Sequence, residues 1–469
     1  MFNRSKLLFL DPSIIRESRG VRLCVCPPEK VQVVIKNDKP WESRFISFYS
    51  SVIYDEGKYR LYYSLKDKNG RGGMAYAESL DGYNFTKPSL KIVKYGDSLE
   101  NNLLGISSLE CTVFKDASAT ADRRYKCYSH AGGVGIVCHT SPDGVHWNIS
   151  DNSLLPYFCD SQNVAFFDEA LKKYVCYLRG WETINDKLRR TVKRCVQESL
   201  ESPHAIPGRA VAIRRRPGEQ PIVNEEFPTV FACDEADGEG VDVYTMAAEP
   251  CPDAEGYYVA FPTLYTHAPS IAKGGEYDNN GDIETYFAGS TDGITWHRYD
   301  RRAFIKNDLL EDFPTRMTFA GTGIIHEGNK FIKYGTLLRT RHAENDKRDL
   351  NPDGAIVRLE NREFGYVAAV FDGEGELTLM PCEAMEEYLS VNLQTTGDGF
   401  LRVGLRDCQG NDIPGFSADE CPALSGDGTS LPVSWLGGRR FNLKGQAVTV
   451  YLKGRQCKLY SIDFIKGEA

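Results

Sequence analysis

No run of about eighteen uncharged apolar residues occurs in this 469-residue chain, so the sequence offers no bilayer-spanning helix. The opening, Met1-Phe-Asn-Arg-Ser-Lys-Leu-Leu-Phe-Leu-Asp11, holds a four-residue apolar run and no cleavage pattern, which is too short for a secretory signal. A basic excess is missing too. Fifty-six Lys and Arg face 65 Asp and Glu, giving a net charge of −9 and a pI near 5.6. That balance argues against nucleic acid as a partner. There are 14 cysteines but no C-x-x-C pair. Cys24 and Cys26 share a strand face with no second pair to complete a zinc site. Cys127, Cys138, Cys176 and Cys457 replace apolar residues inside strand-like runs. They read as buried, reduced thiols, and so as a cytoplasmic protein.

What is present is a repeat. Ser79-Leu-Asp81-Gly82-Tyr-Asn-Phe85, Ser141-Pro-Asp143-Gly144-Val-His-Trp147 and Ser290-Thr-Asp292-Gly293-Ile-Thr-Trp296 share the pattern S-x-D-G-x-x-aromatic. Asp-Gly favours a tight turn, because Gly takes positive φ cheaply and Asp bonds its own backbone. The closing aromatic can pack back under the turn. A second repeat is a polar loop leading into an aromatic strand, at Tyr59–Tyr62, Tyr125–Tyr128, Tyr174–Tyr177, Tyr257–Phe261 and Phe331–Tyr334. The two repeats stay in phase. The unit is strand, hairpin, strand, strand, Asp-Gly turn, strand, and five units predict an all-β, five-bladed propeller.

The rhythm stops after Gly373. Four alternating strands follow, beginning at Leu389, Phe400, Ala447 and Lys458, and they predict a small β-sandwich. The expected division is residues 1–378 as propeller and catalytic domain, and 379–469 as an accessory sandwich, with Val21–Cys26 as an opening strand. Residues 203–240 read as a surface connection. The segments 272–281 and 339–351 read as insertions on one rim of the barrel.

In a propeller the entrances of the inner strands open onto the axis. The polar residues there are Glu42 and Arg44, then Glu110, then Asp160, Gln162 and Asn163, then Asp242 and Tyr244, then Arg316, with His267 after an inner strand. Carboxylates converging with arginines suit glycosidic chemistry, where one carboxyl donates a proton and another activates water or attacks the anomeric carbon. Asp160, Asp242 and Glu110 are the catalytic candidates. Asp242 and Asp160 are expected to form the core, with a raised carboxyl pKa from burial against Tyr244, Phe158 and Tyr265, and with Arg316 holding a partner carboxylate ionised. Glu42, Arg44, Gln162, Asn163, Tyr244, His267 and Arg316 are the substrate-binding candidates. Trp181 is a candidate stacking residue. His139 reads as an outer-strand surface group.

The strings Asp160-Ser-Gln-Asn-Val-Ala-Phe-Phe-Asp-Glu169 and Lys173-Tyr-Val-Cys-Tyr-Leu-Arg179 carry a family resemblance. So do Leu7–Ile15, Pro40-Trp-Glu42, Asp412–Cys421 and Lys458–Phe464. The chain resembles uncharacterised bacterial glycosidase-like propellers, similar to the arabinanase, invertase and mannoside-phosphorylase group. The resemblance implies a five-bladed propeller with a C-terminal β-sandwich and a carbohydrate substrate. The chain departs from that pattern at Leu109-Glu110-Cys111, where a His-Asn-like pair is expected. It also lacks Asn-Asp-Pro-Asn and Arg-Asp-Pro motifs, which argues against a fructosidase. The leading expectation is a hydrolase of small oligosaccharides or glycosides. A phosphorylase binding phosphate through Arg44, Arg316 and Arg339, or a non-catalytic sugar-binding propeller, are the alternatives. No cofactor is expected, apart from a divalent cation that a propeller axis could accommodate. The expected partner is a small carbohydrate, with neither nucleic acid nor membrane, and the oligomeric state is left open.

Overall fold

The computed structural model describes residues 4–132, 134–156, 159–184, 187–204, 227–269, 277–344, 353–436 and 444–466. Five antiparallel sheets surround one axis. Blade one is Phe45–Asp55, Lys58–Lys66 and Gly72–Ser79. Blade two is Cys111–Lys115, Tyr125–Ala131 and Gly135–Ser141. Blade three is Val164–Asp168, Lys173–Ile184, Lys187–Gln197 and Thr229–Phe231. Blade four is built on Val241–Pro250, Tyr258–Pro269 and Tyr277–Thr285. Blade five is Met317–Ala320, Lys330–Leu338 and Ala355–Arg362. Its outer strand is Lys30–Lys36, contributed from ahead of blade one. The ring is therefore closed by pairing the start of the chain to its last blade. Parallel bridges Phe45–Asp353 and Ser51–Thr322 join blade five back to blade one.

The two sequence repeats lock onto each other between blades. In each Asp-Gly turn the Ser hydroxyl accepts the Gly N–H at 2.9 Å, at Ser79, Ser141 and Ser290. The turn then meets the second-strand tyrosine of the preceding blade. Tyr334 donates to the Gly82 carbonyl and Tyr177 to the Gly293 carbonyl, both at 2.7 Å. The closing aromatic packs edge-on to that tyrosine: Phe85 on Tyr334 at 5.5 Å, Trp147 on Tyr62 at 6.3 Å and Trp296 on Tyr177 at 5.9 Å. Tyrosine suits this place because its body is apolar and its tip is a donor.

The C-terminal region is a nine-stranded sheet. Two 19-residue strands, Tyr388–Arg406 and Ala447–Ile465, pair antiparallel at its centre. Strand pairing does not follow a break at 378/379. Lys6–Leu8 pairs with Ala447–Ile465, Ile15–Arg19 with Gly375–Leu379, and Arg22–Val25 with Val367–Phe371. The first strands of the chain thus belong to the C-terminal sheet. One buried cluster holds Leu401, Val403 and Leu452 of that sheet together with Phe261, Phe304 and Phe331 of blades four and five. All 14 cysteines are free, 11 of them buried. Among the described residues no helix is long and apolar enough to cross a membrane. Most of the 203–240 connection, and the tips of both predicted insertions, lie outside the described residues.

Candidate functional site

Each inner strand runs away from one end of the ring, so the tips of the second-to-third strand hairpins stand at the entrance end. Those hairpins are unequal. In blades one and two only residues 67–71 and 132–134 separate the two strands. In blade three the strands extend to Ile184 and from Lys187, and in blade four to Pro269 and from Tyr277. The described residues of blades three to five are cross-braced at this end. Arg190 donates to Asn279 at 3.1 Å, and the His342 backbone N–H donates to the Gly281 carbonyl at 3.2 Å. Arg316 and Arg341 share Asp282, at 2.6 and 3.2 Å.

Glu110 and Asp160 are brought together. Glu110 is half-buried and hydrogen-bonded to Ser108 at 3.1 Å. Burial raises its carboxyl pKa above the ordinary value, and the nearby Asp160 charge adds to the shift. Asp160 stays open, with its side chain 49% exposed, and accepts from Arg179 at 2.9 Å. Arg179 is itself buried. It donates to the Tyr244 carbonyl at 2.7 Å and lies 4.6 Å over the Tyr244 ring. Such a braced guanidinium fixes the carboxylate it holds.

Asp242 is held differently from the expected proton donor. It is buried, with Arg190 at 3.1 Å and His267 at 3.2 Å. Burial pushes its pKa up, but the His267 hydrogen bond and the Arg190 charge more than offset that, and the net shift is downward. Asp242 and Arg190 line a cavity of about 520 Å³ between the blade-three hairpin and the entry to blade four. The cavity is also bordered by Lys187, Arg189, Asp234 and Glu239.

Other candidates fall in three groups. Tyr244 lies in the first strand of blade four and Gln162 just ahead of that of blade three. Tyr244 bonds His342 at 3.0 Å through its hydroxyl. Gln162 is 3% exposed, and neither of its side-chain amide atoms has a protein partner among the described residues. A buried amide in that state needs water or a ligand. Asn163 has a framework position, donating to the Ser161 carbonyl at 2.8 Å and the Glu110 carbonyl at 3.3 Å. Glu42 does not reach the funnel. It is fully buried and accepts from Tyr63 and Lys87 at 2.8 Å each, and from the Asp38 and Lys39 N–H groups at 3.1 and 3.3 Å. Those four bonds occupy its oxygens. Arg44 is half-buried at the junction of blades one and five, its carbonyl accepting from the Asp353 N–H at 2.9 Å. Arg316 pairs with Asp282 on the rim rather than with a carboxylate at the axis. Phe158 lies outside the described residues. Trp181 is covered by the Arg190 guanidinium at 4.8 Å. His139 is buried rather than at the surface, and burial lowers its pKa to about 4.

Sequence reasoning missed Arg179, Arg190, His342 and Tyr49. Arg179 had a signal, since it closes the apolar run Tyr174–Leu178 with a charge. Among the described residues no three His, Cys, Asp or Glu side chains converge as a metal site requires.

No family model and no curated protein matches the chain. It is similar to several solved structures. One is described as a glycoside hydrolase, at 12% identity over 72% of this chain and 92% of that one, TM-score 0.46. Another is an N-acetylgalactosamine deacetylase from F. plautii in complex with blood group B trisaccharide, at 12% identity over 73% and 96%, TM-score 0.44. A third is an exo-inulinase from Aspergillus awamori, at 11% identity over 94% and 99%, TM-score 0.42. At this level of likeness the functional reading rests on the side chains.

Proposed function

We propose that the chain is a glycoside hydrolase acting on a small oligosaccharide or glycoside at the entrance end of the axis. One observation carries this reading. Two neighbouring carboxyl groups differ in setting: Glu110, whose pKa is raised by burial and by the Asp160 charge, and Asp160, exposed and held by Arg179. Glycosidic cleavage needs that asymmetry, with a protonated group for the leaving oxygen and an ionised one for water or the anomeric carbon. Glu110 is the proton donor and Asp160 the second carboxylate. Asp242 is a buried positioning residue. The free thiols throughout the strands support a reducing, cytoplasmic setting. The test is turnover on a panel of aryl glycosides. Glu110→Gln and Asp160→Asn should each keep the fold and lose about a hundredfold or more in kcat. Normal turnover by both would overturn the assignment. The shared use of Asp282 by Arg316 and Arg341 leaves guanidinium donors on the rim. This favours phosphorolysis as the second reading, which phosphate-dependent turnover would establish.

A further inference from the structure

Among the described residues, the inner strand of blade one supplies no carboxylate at the axis, and no other inner strand has so large a break at its entrance. Ile46 pairs with Leu65 and Ser50 with Tyr63, so Ser47, Phe48 and Tyr49 stand opposite the single residue Ser64. The inner edge of this strand is bridged to blade five on either side of the break, at Phe45–Asp353 and Ser51–Thr322, and between the bridges two surplus residues leave the ladder. Ser47 turns the chain with φ of 49°, in the left-handed region that a non-glycine residue rarely adopts. Conformations of this kind persist where the surroundings over-determine them, often at ligand sites.

The bulge delivers two rings. Tyr49 is buried and lies 6.0 Å from Phe319 of blade five, which is 5.9 Å from Tyr244 of blade four. These rings join the inner strands of blades one, four and five in one buried cluster. Phe48 packs against them edge-on, 5.4 Å from Phe319 and 5.1 Å from Phe45. In this cluster, among the described residues, only Phe48 and Leu109, the neighbour of Glu110, remain partly exposed.

We propose that Phe48 is the stacking platform of the sugar-binding subsite, receiving the C–H face of a neutral sugar ring beside Glu110. The deduction rests on the glycosidase reading for the sugar and on the bulge for the residue. Sugars present one apolar face and a rim of hydroxyls. A pocket that takes them combines an aromatic surface with a few polar groups. Gln162, with its unpartnered amide, supplies donors and an acceptor for the rim.

The test is made in the Glu110→Gln background, where binding is read without turnover. Affinity for 4-nitrophenyl arabinofuranoside, xyloside, galactoside and mannoside is measured by calorimetry, with thermal unfolding of every variant alongside. For whichever probe binds, Phe48→Ala should weaken binding about tenfold, and Phe48→Trp and Phe48→Tyr should retain it. Phe48→Leu fills the same space without a π face. It should unfold like the parent yet bind like the Ala variant, so lost packing is separated from lost stacking. Binding by Phe48→Leu equal to the parent, or loss in the two aromatic variants as large as in Ala, overturns the platform. If Glu110→Gln abolishes turnover but Phe48 variants bind normally, the platform fails and the hydrolase stands. If the probes bind through Phe48 and no variant or parent turns them over, the hydrolase fails and the platform stands. If no probe binds, both are overturned.

Discussion

At Asp242, burial alone would raise the carboxyl pKa, yet the pKa falls because His267 and Arg190 both address the ionised form. A carboxylate lowered in this way contributes stability above its unfolded pKa. That contribution is lost as pH falls through the folded value. Asp242→Asn removes the charge and leaves the half-buried Arg190 without its ion. Urea unfolding at pH 7 should show a cost of about 3 kcal/mol, and the difference should shrink below about pH 4. An undiminished difference at low pH would mean that packing, not charge, is what the substitution removes. Glu110 responds in the opposite sense. Its raised pKa is due first to burial, then to Asp160. A proton donor sets the basic limb of a pH–rate profile. The residual activity of Asp160→Asn should therefore lose its basic limb at lower pH than the parent, because the charge that helps keep Glu110 protonated is gone. A basic limb that does not move would separate the two groups.

At the scale of elements, the blades are legible in the sequence because their signals are local. The Ser-x-Asp-Gly turn forms its bonds within four residues, as between Ser79 and Gly82 at 2.9 Å, and the tyrosines that receive the turns alternate within single strands. What cannot be read there depends on partners distant in sequence. Glu42 reads as a funnel residue until Lys87 and Tyr63 are seen to consume it. Arg190 gains its meaning only from Asp242, 52 residues away. Nothing in the composition of Phe45–Tyr49 announces the bulge. The inter-blade locks also permit a test that separates backbone strain from collision. Gly82 has φ of +72°, and a Cβ there would stand 2.9 Å from the Tyr334 hydroxyl and from the Tyr59 ring. Gly57 has nearly the same φ, +75°, with open space around it. Gly57→Ala should cost about 1 kcal/mol, the left-handed penalty alone. Gly82→Ala should cost about 2 kcal/mol more, as the turn is forced off the preceding blade. Equal costs in chemical denaturation would show that the lock between blades one and five is loose enough to absorb a methyl group.

At the scale of the molecule, sequence order and structural order part company. Residues 1–378 look like a self-sufficient propeller, because the repeat ends there. The last long strand, Ala447–Ile465, nevertheless pairs with Lys6–Leu8, Val367–Phe371, Gly375–Leu379 and Tyr388–Arg406. It is the central member of the sheet that anchors both ends of the propeller segment. Removing it would leave the edges of those strands unpaired, a template for aggregation. It would also strip Val448, Val450, Leu452 and Leu459 from a core that continues into Phe261, Phe304 and Phe331. Two bodies that share a core and exchange strands should unfold as one cooperative unit. Calorimetry of the whole chain should thus show one transition rather than two. The complementary experiment expresses residues 1–378 alone, cut where the repeat stops. That fragment should be insoluble or molten, with exposed apolar surface. A monomeric 1–378 fragment with a sharp melt would show that the propeller closes through Lys30–Lys36 alone and that the C-terminal sheet is an attachment rather than part of its foundation.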